Sequence, residues 1–227
     1  NFFRSKKTTA NTADDLAFDS FLLAAKTAFR TVSLNWHYRS QSAALINFSN
    51  SAFYNFKLQV FPSYNLEHKP LEIIRVENAI FKNRQNELEA KELVAHLAES
   101  LKSSQELSYA VIAMSEAQQD AIEQEIELLR QADLAFDRLL LKEEDRYENG
   151  AFAGLLVKNL ENMQGEERDV VFISIGYGFD ENGKFRQHFG PIMQDGGDRR
   201  LNVLLSRAKV KMKIFCSFAE REIQNEI

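Results

Sequence analysis

The chain has little of what builds a disulfide scaffold, a fibre or a membrane span. A single cysteine, Cys216, excludes any internal disulfide, and its place in the apolar run "IFCSF" makes it a small core filler. Three prolines and nine glycines exclude a collagenous or proline-rich chain. The longest apolar stretch, around Val170 to Phe179, is too short to cross a bilayer and contains two glycines. Arg4, Lys6 and Lys7 precede the polar "TTANTADD", where a secretion signal needs an apolar region. The expected location is therefore the cytoplasm, with no membrane partner. The four histidines, His37, His68, His96 and His188, lack the close spacing of a metal site, so no structural metal is predicted. A net charge of -5 argues against a protein that coats nucleic acid over its whole surface, yet leaves room for a local basic patch.

What is present is an ordinary globular composition: 44% hydrophobic residues, enough for a real core, and 27% charged. The opening "NFFRS" carries no capping or turn signal, so the chain reads as a piece of something longer. Residues 1–15 read as a mobile leader, and 16–220 as one domain. Phe18, Phe21, Leu22, Ala25 and Phe29 recur at helical intervals. "TVSL" is a short β-branched segment, and "NWHYRS" a turn. Gln41 to Phe56 reads as a helix with Leu45, Phe48, Ala52 and Phe53 on one side and Ser40 as N-cap.

Further on, "LEIIRV" predicts a strand, and Asn86 to Leu101 a helix with Leu93, Leu97 and Leu101 in register. "YAVIAM" predicts a buried strand, and Ser115 opens the next helix. Asp133 to Ala153 carries no clear period, and its charged stretch "KEEDRYENG" most simply forms a loop. "LLVKNL" and "DVVFISI" are strands, "RRLNVLLSRAK" a helix, and "VKMKIFCSF" a closing strand whose lysines 209, 211 and 213 line one wet side. Strands alternating with helices predict a doubly wound, mainly parallel α/β sheet. The connection from Gly176 to Asp198 is the longest loop.

"GFDENGK", Gly178 to Lys184, fits seven places of the phosphate loop G-x-x-x-x-G-K-[ST]. Phe185 stands in the eighth and cannot ligate magnesium, and Asp180 and Glu181 would repel phosphates. Asn182-Gly183 is the better turn signal. A nucleotide-binding enzyme built on this segment is the rival that Lys184→Ala would expose.

Three islands carry the chemistry: "LNWHYRS" (Leu34 to Ser40), "LENMQGEERDVVFIS" (Leu160 to Ser174) and "RRLNVLLSRAK" (Arg199 to Lys209). Loops that follow parallel strands gather at one sheet edge, which is where these islands are expected to converge. Together they resemble motifs IV, V and VI of superfamily-one helicases. "YAVIAMSEAQQDAIEQEI" is similar to the strand and helix ahead of motif V, with the Ala-Gln pattern at Ala117 and Gln118. "NFF" and "GPIMQDGGDRRLNVLLSRA" are similar to a bacterial-type branch with 5′-to-3′ polarity. The resemblance runs from about Asn1 to Phe218.

The resemblance implies a second RecA-like domain, with helices on both faces of its sheet, that shares an ATP site with an N-terminal RecA-like domain. Tyr38 would stack on adenine, and Arg39 and Arg207 would reach the γ-phosphate. Gly165 would supply a tight turn, Gln164 a polar contact near the nucleotide, and Glu167 a carboxylate for the ribose hydroxyls. The phosphate loop and the acidic Mg2+ site would lie in the N-terminal domain, so this fragment alone should not hydrolyse ATP. The track would be single-stranded nucleic acid, DNA before RNA. Two departures stand out: Ser206 where the family has threonine before the arginine, and Asn159 where a threonine often touches the nucleic-acid backbone.

Plainer uses exist for each residue. Tyr38 beside Trp36 could be a packed aromatic pair, Glu167 and Arg168 a surface ion pair, and Arg199, Arg200 and Arg207 a solvated helix face. A binding module that kept the helicase fold without the motor is the rival function.

Overall fold

The computed structural model describes residues 21–60, 69–163, 165–186 and 189–223. The expected leader, Phe18 and Gln164 lie outside them. The chain divides into two compact units, one up to Asn35 and one from Trp36 onward. In the first, α1 (Phe21–Ala28) realises the helical spacing of Phe21, Leu22 and Ala25, and "TVSL" forms no strand.

The second unit opens with β1 (Trp36–His37), in the segment read as a turn; it pairs in parallel with β2 (Gln59–Val60). The single helix expected over Gln41 to Phe56 is instead a 3-10 turn, Ala43–Leu45, followed by α2 (Asn47–Tyr54). Its cap is Ser42, which accepts from the Ala44 amide, because the Ser40 hydroxyl is committed to the Ala208 carbonyl at 3.1 Å.

Then come β3 (Leu71–Arg75), α3 (Glu87–Ser103), β4 (Tyr109–Ala113), α4 (Glu116–Ala132) and α5 (Leu134–Glu144). The strands β5 (Tyr147–Glu148) and β6 (Ala151–Phe152) form a hairpin, and β7 (Leu156–Asn159), β8 (Arg168–Ser174), α6 (Gly197–Leu205) and β9 (Ala208–Cys216) complete the unit. The "KEEDRYENG" stretch is thus not a simple loop: it ends α5 and supplies the first strand and the turn of the hairpin. Asp133 accepts from the amides of Ala135 and Phe136, and Asn149 and Gly150 both take positive φ, as a tight hairpin turn requires.

The main sheet has the order β3-β9-β8-β4-β7 and is parallel throughout. Its central strands alternate side chains between two cores. Tyr109, Val111, Val170, Phe172 and Phe215 face α3, α4 and α5, where Leu93, Leu97, Ile122 and Phe136 are buried. Ile112, Val171, Ile173 and Met212 face the other side, under Leu45 and Leu204 of α6. This is the α/β, doubly wound arrangement expected, with helices on both faces. Each buried large side chain contributes about 1.5–3 kcal/mol, which holds the strand ends in fixed register.

The lysines of β9, Lys209, Lys211 and Lys213, are half-buried rather than free on a wet face. Lys211 donates to Glu72 at 2.7 Å, and Lys213 sits over the Phe172 ring, 5.2 Å from its centroid. The "GFDENGK" segment is an Asx-type turn: Asp180 Oδ1 accepts from the amides of Asn182 and Lys184, each at 2.9 Å, and Phe179 bridges Phe185.

Candidate functional site

The turn ahead of β8 and the turn ahead of β9 stand side by side, because Arg168 is in register with Ala208. Both lie at the amino edge of the sheet. The loop after β1 is sewn onto the start of β9: the Ser40 hydroxyl donates to the Ala208 carbonyl and the Gln41 amide to the Lys209 carbonyl at 2.7 Å. His37 Nε2 accepts from the Ser40 amide at 3.1 Å, which fixes the loop from inside. Parts of all three sequence islands therefore meet at this edge.

Two cations pair with one carboxylate there, and a third cation lies alongside. Arg39 donates through Nε to Glu167 Oε2 and through Nη1 to the Ser206 carbonyl at 3.2 Å. Lys209 Nζ lies 3.2 Å from Glu167 Oε1. Arg207 is only 9% exposed, and it donates through Nε to the Val203 carbonyl at 2.7 Å and through Nη1 to the Glu166 carbonyl at 3.0 Å. Those bonds fix the guanidinium plane and leave Nη2 without a protein partner among the described residues. Burial opposes the ionised form of Glu167, but hydrogen bonds from Arg39 and Lys209 outweigh it and hold its pKa below the usual carboxylate value. Burial and then the nearby charge of Arg39 push Arg207 below its ordinary value. Positive charge in excess of the one carboxylate, held together against its own repulsion, suits a polyanionic ligand.

Tyr38, beside this cluster, is 82% exposed and Trp36 is also exposed, so the tyrosine ring is open to a ligand. Gly165 takes φ +87 in the turn, a conformation that side-chain-bearing residues rarely adopt. Arg168 is not the surface partner of Glu167. It is buried, and its guanidinium donates to the carbonyls of Gly154, Glu167 and Phe152, locking the turn to the β6–β7 connection. Arg207 lies beyond the end of α6, not on a solvated helix face.

Asn159 is not brought to this cluster. It is level with Ala113, which is also level with Ser174 at the far end of β8. Six residues of strand, about 20 Å, separate that carboxyl edge from Arg168. Asn159 Oδ1 caps the turn after β7, accepting from the Asn162 amide at 3.2 Å. It also lines an open cleft of about 450 Å³ with Phe81, Arg84, Met114, Ser115 and Tyr177. The convergence expected at the carboxyl edge occurs at the amino edge instead, because the glycine turn and Arg207 precede their strands.

Two groups of residues were missed or undervalued in the sequence. By its alternation Lys209 reads as one of a solvated row, whereas the structure places it on Glu167. The carboxyl edge also holds a buried polar network. Gln118 exchanges hydrogen bonds with the main chain of Asn86 and donates to Ser174 Oγ at 3.0 Å. Glu89 Oε1 accepts from Ser174 Oγ and from the Gly176 amide, each at 2.7 Å, while its Oε2 has no hydrogen-bond partner among the described residues. The Ala-Gln pattern signalled Gln118; nothing in the spacing signalled Glu89. Among the described residues no group of three His, Cys, Asp or Glu could hold a metal ion, and no helix is long and apolar enough to cross a membrane.

Comparison with known proteins adds lineage to this geometry. An AAA domain family matches residues 17–219. An uncharacterized ATP-dependent helicase of Mycoplasma genitalium is 35% identical over 184 residues, which are 80% of this chain and 16% of the relative. Its Mycoplasma pneumoniae homolog is 36% identical over 185 residues, with the same coverage of 80% and 16%. The chain thus spans about a sixth of the length of these relatives. Among solved structures, the C-terminal domain of a DNA helicase described as possible, from Lactobacillus, aligns at a TM-score of 0.40 and 20% identity, covering 79% of this chain and 86% of that one. By the match over residues 17–219, the chain belongs to the AAA domain family.

Proposed function

We propose that the chain is the second RecA-like motor domain of an ATP-dependent superfamily-one helicase. In this reading it supplies one wall of an ATP site whose other wall is an N-terminal RecA-like domain of the same protein. The observation that carries this is the convergence of Arg39 and Arg207 on the Glu167 turn. The fit to a triphosphate rests on the excess cationic charge and on the guanidinium of Arg207, oriented by two main-chain carbonyls with one nitrogen unpartnered among the described residues.

Each residue then has a defined task. Arg207 presents a preorganised fork to charge that develops on the γ-phosphoryl group, and Arg39 adds a second donor. Tyr38 offers an exposed ring to the adenine. The Gly165 turn, braced by Arg168, holds Glu167 beside the ribose and phosphates. ATP supplies the free energy when bound. The Mg2+ that accompanies it would be held by the acidic site of the N-terminal domain, as the family resemblance implies. Single-stranded nucleic acid, DNA in the first instance, would cross the carboxyl edge near Asn159, so that cleft closure at one edge moves the strand at the other.

The test is nucleic-acid-stimulated ATPase of the intact protein with Arg207→Ala. Loss of an arginine finger lowers the rate by about a thousandfold or more. Equal rates would remove the finger role of Arg207; no stimulated ATPase in either protein would leave a non-motor binding module as the better reading.

A further inference from the structure

Resting on the reading that a single strand crosses the carboxyl edge, we propose that the cleft there is a base-reading pocket, in which Phe81 stacks on an unpaired base and the Glu161 carboxylate accepts from the adjacent N1–H and N2–H donors of guanine. The cleft, about 450 Å³, falls in the range of about 300–1,000 Å³ of small-ligand sites. Its wall is aromatic and braced. The Phe81 amide donates to the Phe179 carbonyl at 2.8 Å, and its ring packs on Tyr177 at 5.4 Å between centroids. Tyr177 follows Gly176, whose amide donates to Glu89 at 2.7 Å, and its ring meets Phe189 edge-on at 5.7 Å. A ring fixed in this way takes a base at little cost in side-chain freedom.

The charges of the cleft separate base from backbone. Arg84, Arg186, Glu116 and Glu161 line it. Arg186 is committed to Asp180, through Nη2 at 2.7 Å and Nε at 2.9 Å. Glu116 stands in the first turn of α4, where the helix dipole compensates it. That leaves Arg84 and Glu161, neither with a hydrogen-bonded or ion-paired partner among the described residues. Unlike the amino edge, this cleft has no cationic excess to hold a phosphodiester chain, whereas a neutral base enters it without repulsion.

Arg84 and Glu161 are both presented by rigid turns. Arg84 and Asn83 take left-handed φ values of 67 and 52 in the turn between Lys82 and Gln85, closed by main-chain bonds of 2.9 and 3.0 Å. Backbone strain held at a cleft points to function. Burial raises the pKa of the Tyr177 hydroxyl and the charge of Arg84 opposes the rise, so Arg84 stands close to the aromatic wall. From there it meets the phosphate of the nucleotide whose base lies on Phe81. Glu161 follows buried Leu160 in the turn that Asn159 caps. Guanine presents two N–H donors side by side to one carboxylate; cytosine and adenine offer one amino group, and thymine one ring N–H.

The measurement is fluorescence anisotropy of the intact protein with short oligothymidylates carrying one central guanine, one central hypoxanthine, or thymine throughout. Hypoxanthine lacks only the N2 amino group. The guanine strand should bind about tenfold tighter than the thymine strand, and the hypoxanthine strand should lose most of that gain. Glu161→Gln erases the guanine preference without weakening the thymine strand. Phe81→Ala weakens every strand several-fold, and Arg84→Ala weakens them alike while reducing the salt slope by about one. A guanine preference that survives Glu161→Gln overturns the role of Glu161. Strands that all bind alike leave the helicase reading standing and sink the pocket alone; absence of any binding removes the track, and the pocket with it.

Discussion

Replacing Glu89 with glutamine should change how stability depends on pH. Glu89 is wholly buried on α3, and burial pushes its pKa from 4.5 up to about 7, against the opposing hydrogen bonds from Ser174 and Gly176. The sign follows from the raised value. Below the unfolded value both states carry the proton and burial costs nothing in charge. As pH rises toward 7 the unfolded chain releases its proton while the folded one retains it, so stability falls across that window and levels off above it. At about 1.4 kcal/mol per pH unit, the full loss is about 3 kcal/mol. Glutamine keeps an oxygen for Ser174 and Gly176 and does not titrate. Urea unfolding at about pH 5 and about pH 8 should therefore show the wild type losing roughly 2–3 kcal/mol relative to Glu89→Gln between the two conditions. A difference between the proteins that stays constant with pH would refute the buried-carboxyl reasoning.

Further consequences are open to the same kind of measurement. Gly165→Ala meets no atom within 4 Å of the added carbon, so its cost is the left-handed backbone alone, about 1–2 kcal/mol in denaturant unfolding. Asn86→Ala removes the cap that accepts from the Glu89 amide and the donor to Ser217 Oγ, and should cost about 2 kcal/mol, the upper end for a lost cap. Lys184→Ala lies on an exposed turn and should leave nucleotide binding by the intact protein unchanged; abolished binding would revive the phosphate-loop rival.

The strands β4 and β8 were legible because they are apolar runs buried on both faces, and α3 and α4 because apolar residues recur on one side below Asn86 and Ser115 caps. Helix α5 was not, since its stripe of Phe136 and Leu140 is short and ends in the charged Lys142, Glu143 and Glu144, which read as the start of a loop. The Asn149-Gly150 pair held the hairpin signal all along. The motif resemblance singles out Arg39, Glu167 and Arg207, and their nearness is what the structure adds: Arg39 sits on Glu167 with Arg207 alongside. The edge at which they meet was not, because strand order and the sense of the β7-to-β8 crossover are tertiary facts that no local pattern carries. Lys209 was hidden by its own regularity: one lysine in an alternating series looks like the rest until the neighbouring turn is in place.

The central claim is a nucleotide held between this domain and another, and photolabelling with 8-azido-ATP addresses it most directly. In the intact protein the label should fall on the peptide containing Tyr38 and be competed away by ATP. Labelling that spares the Tyr38 peptide while the protein hydrolyses ATP would contradict the account.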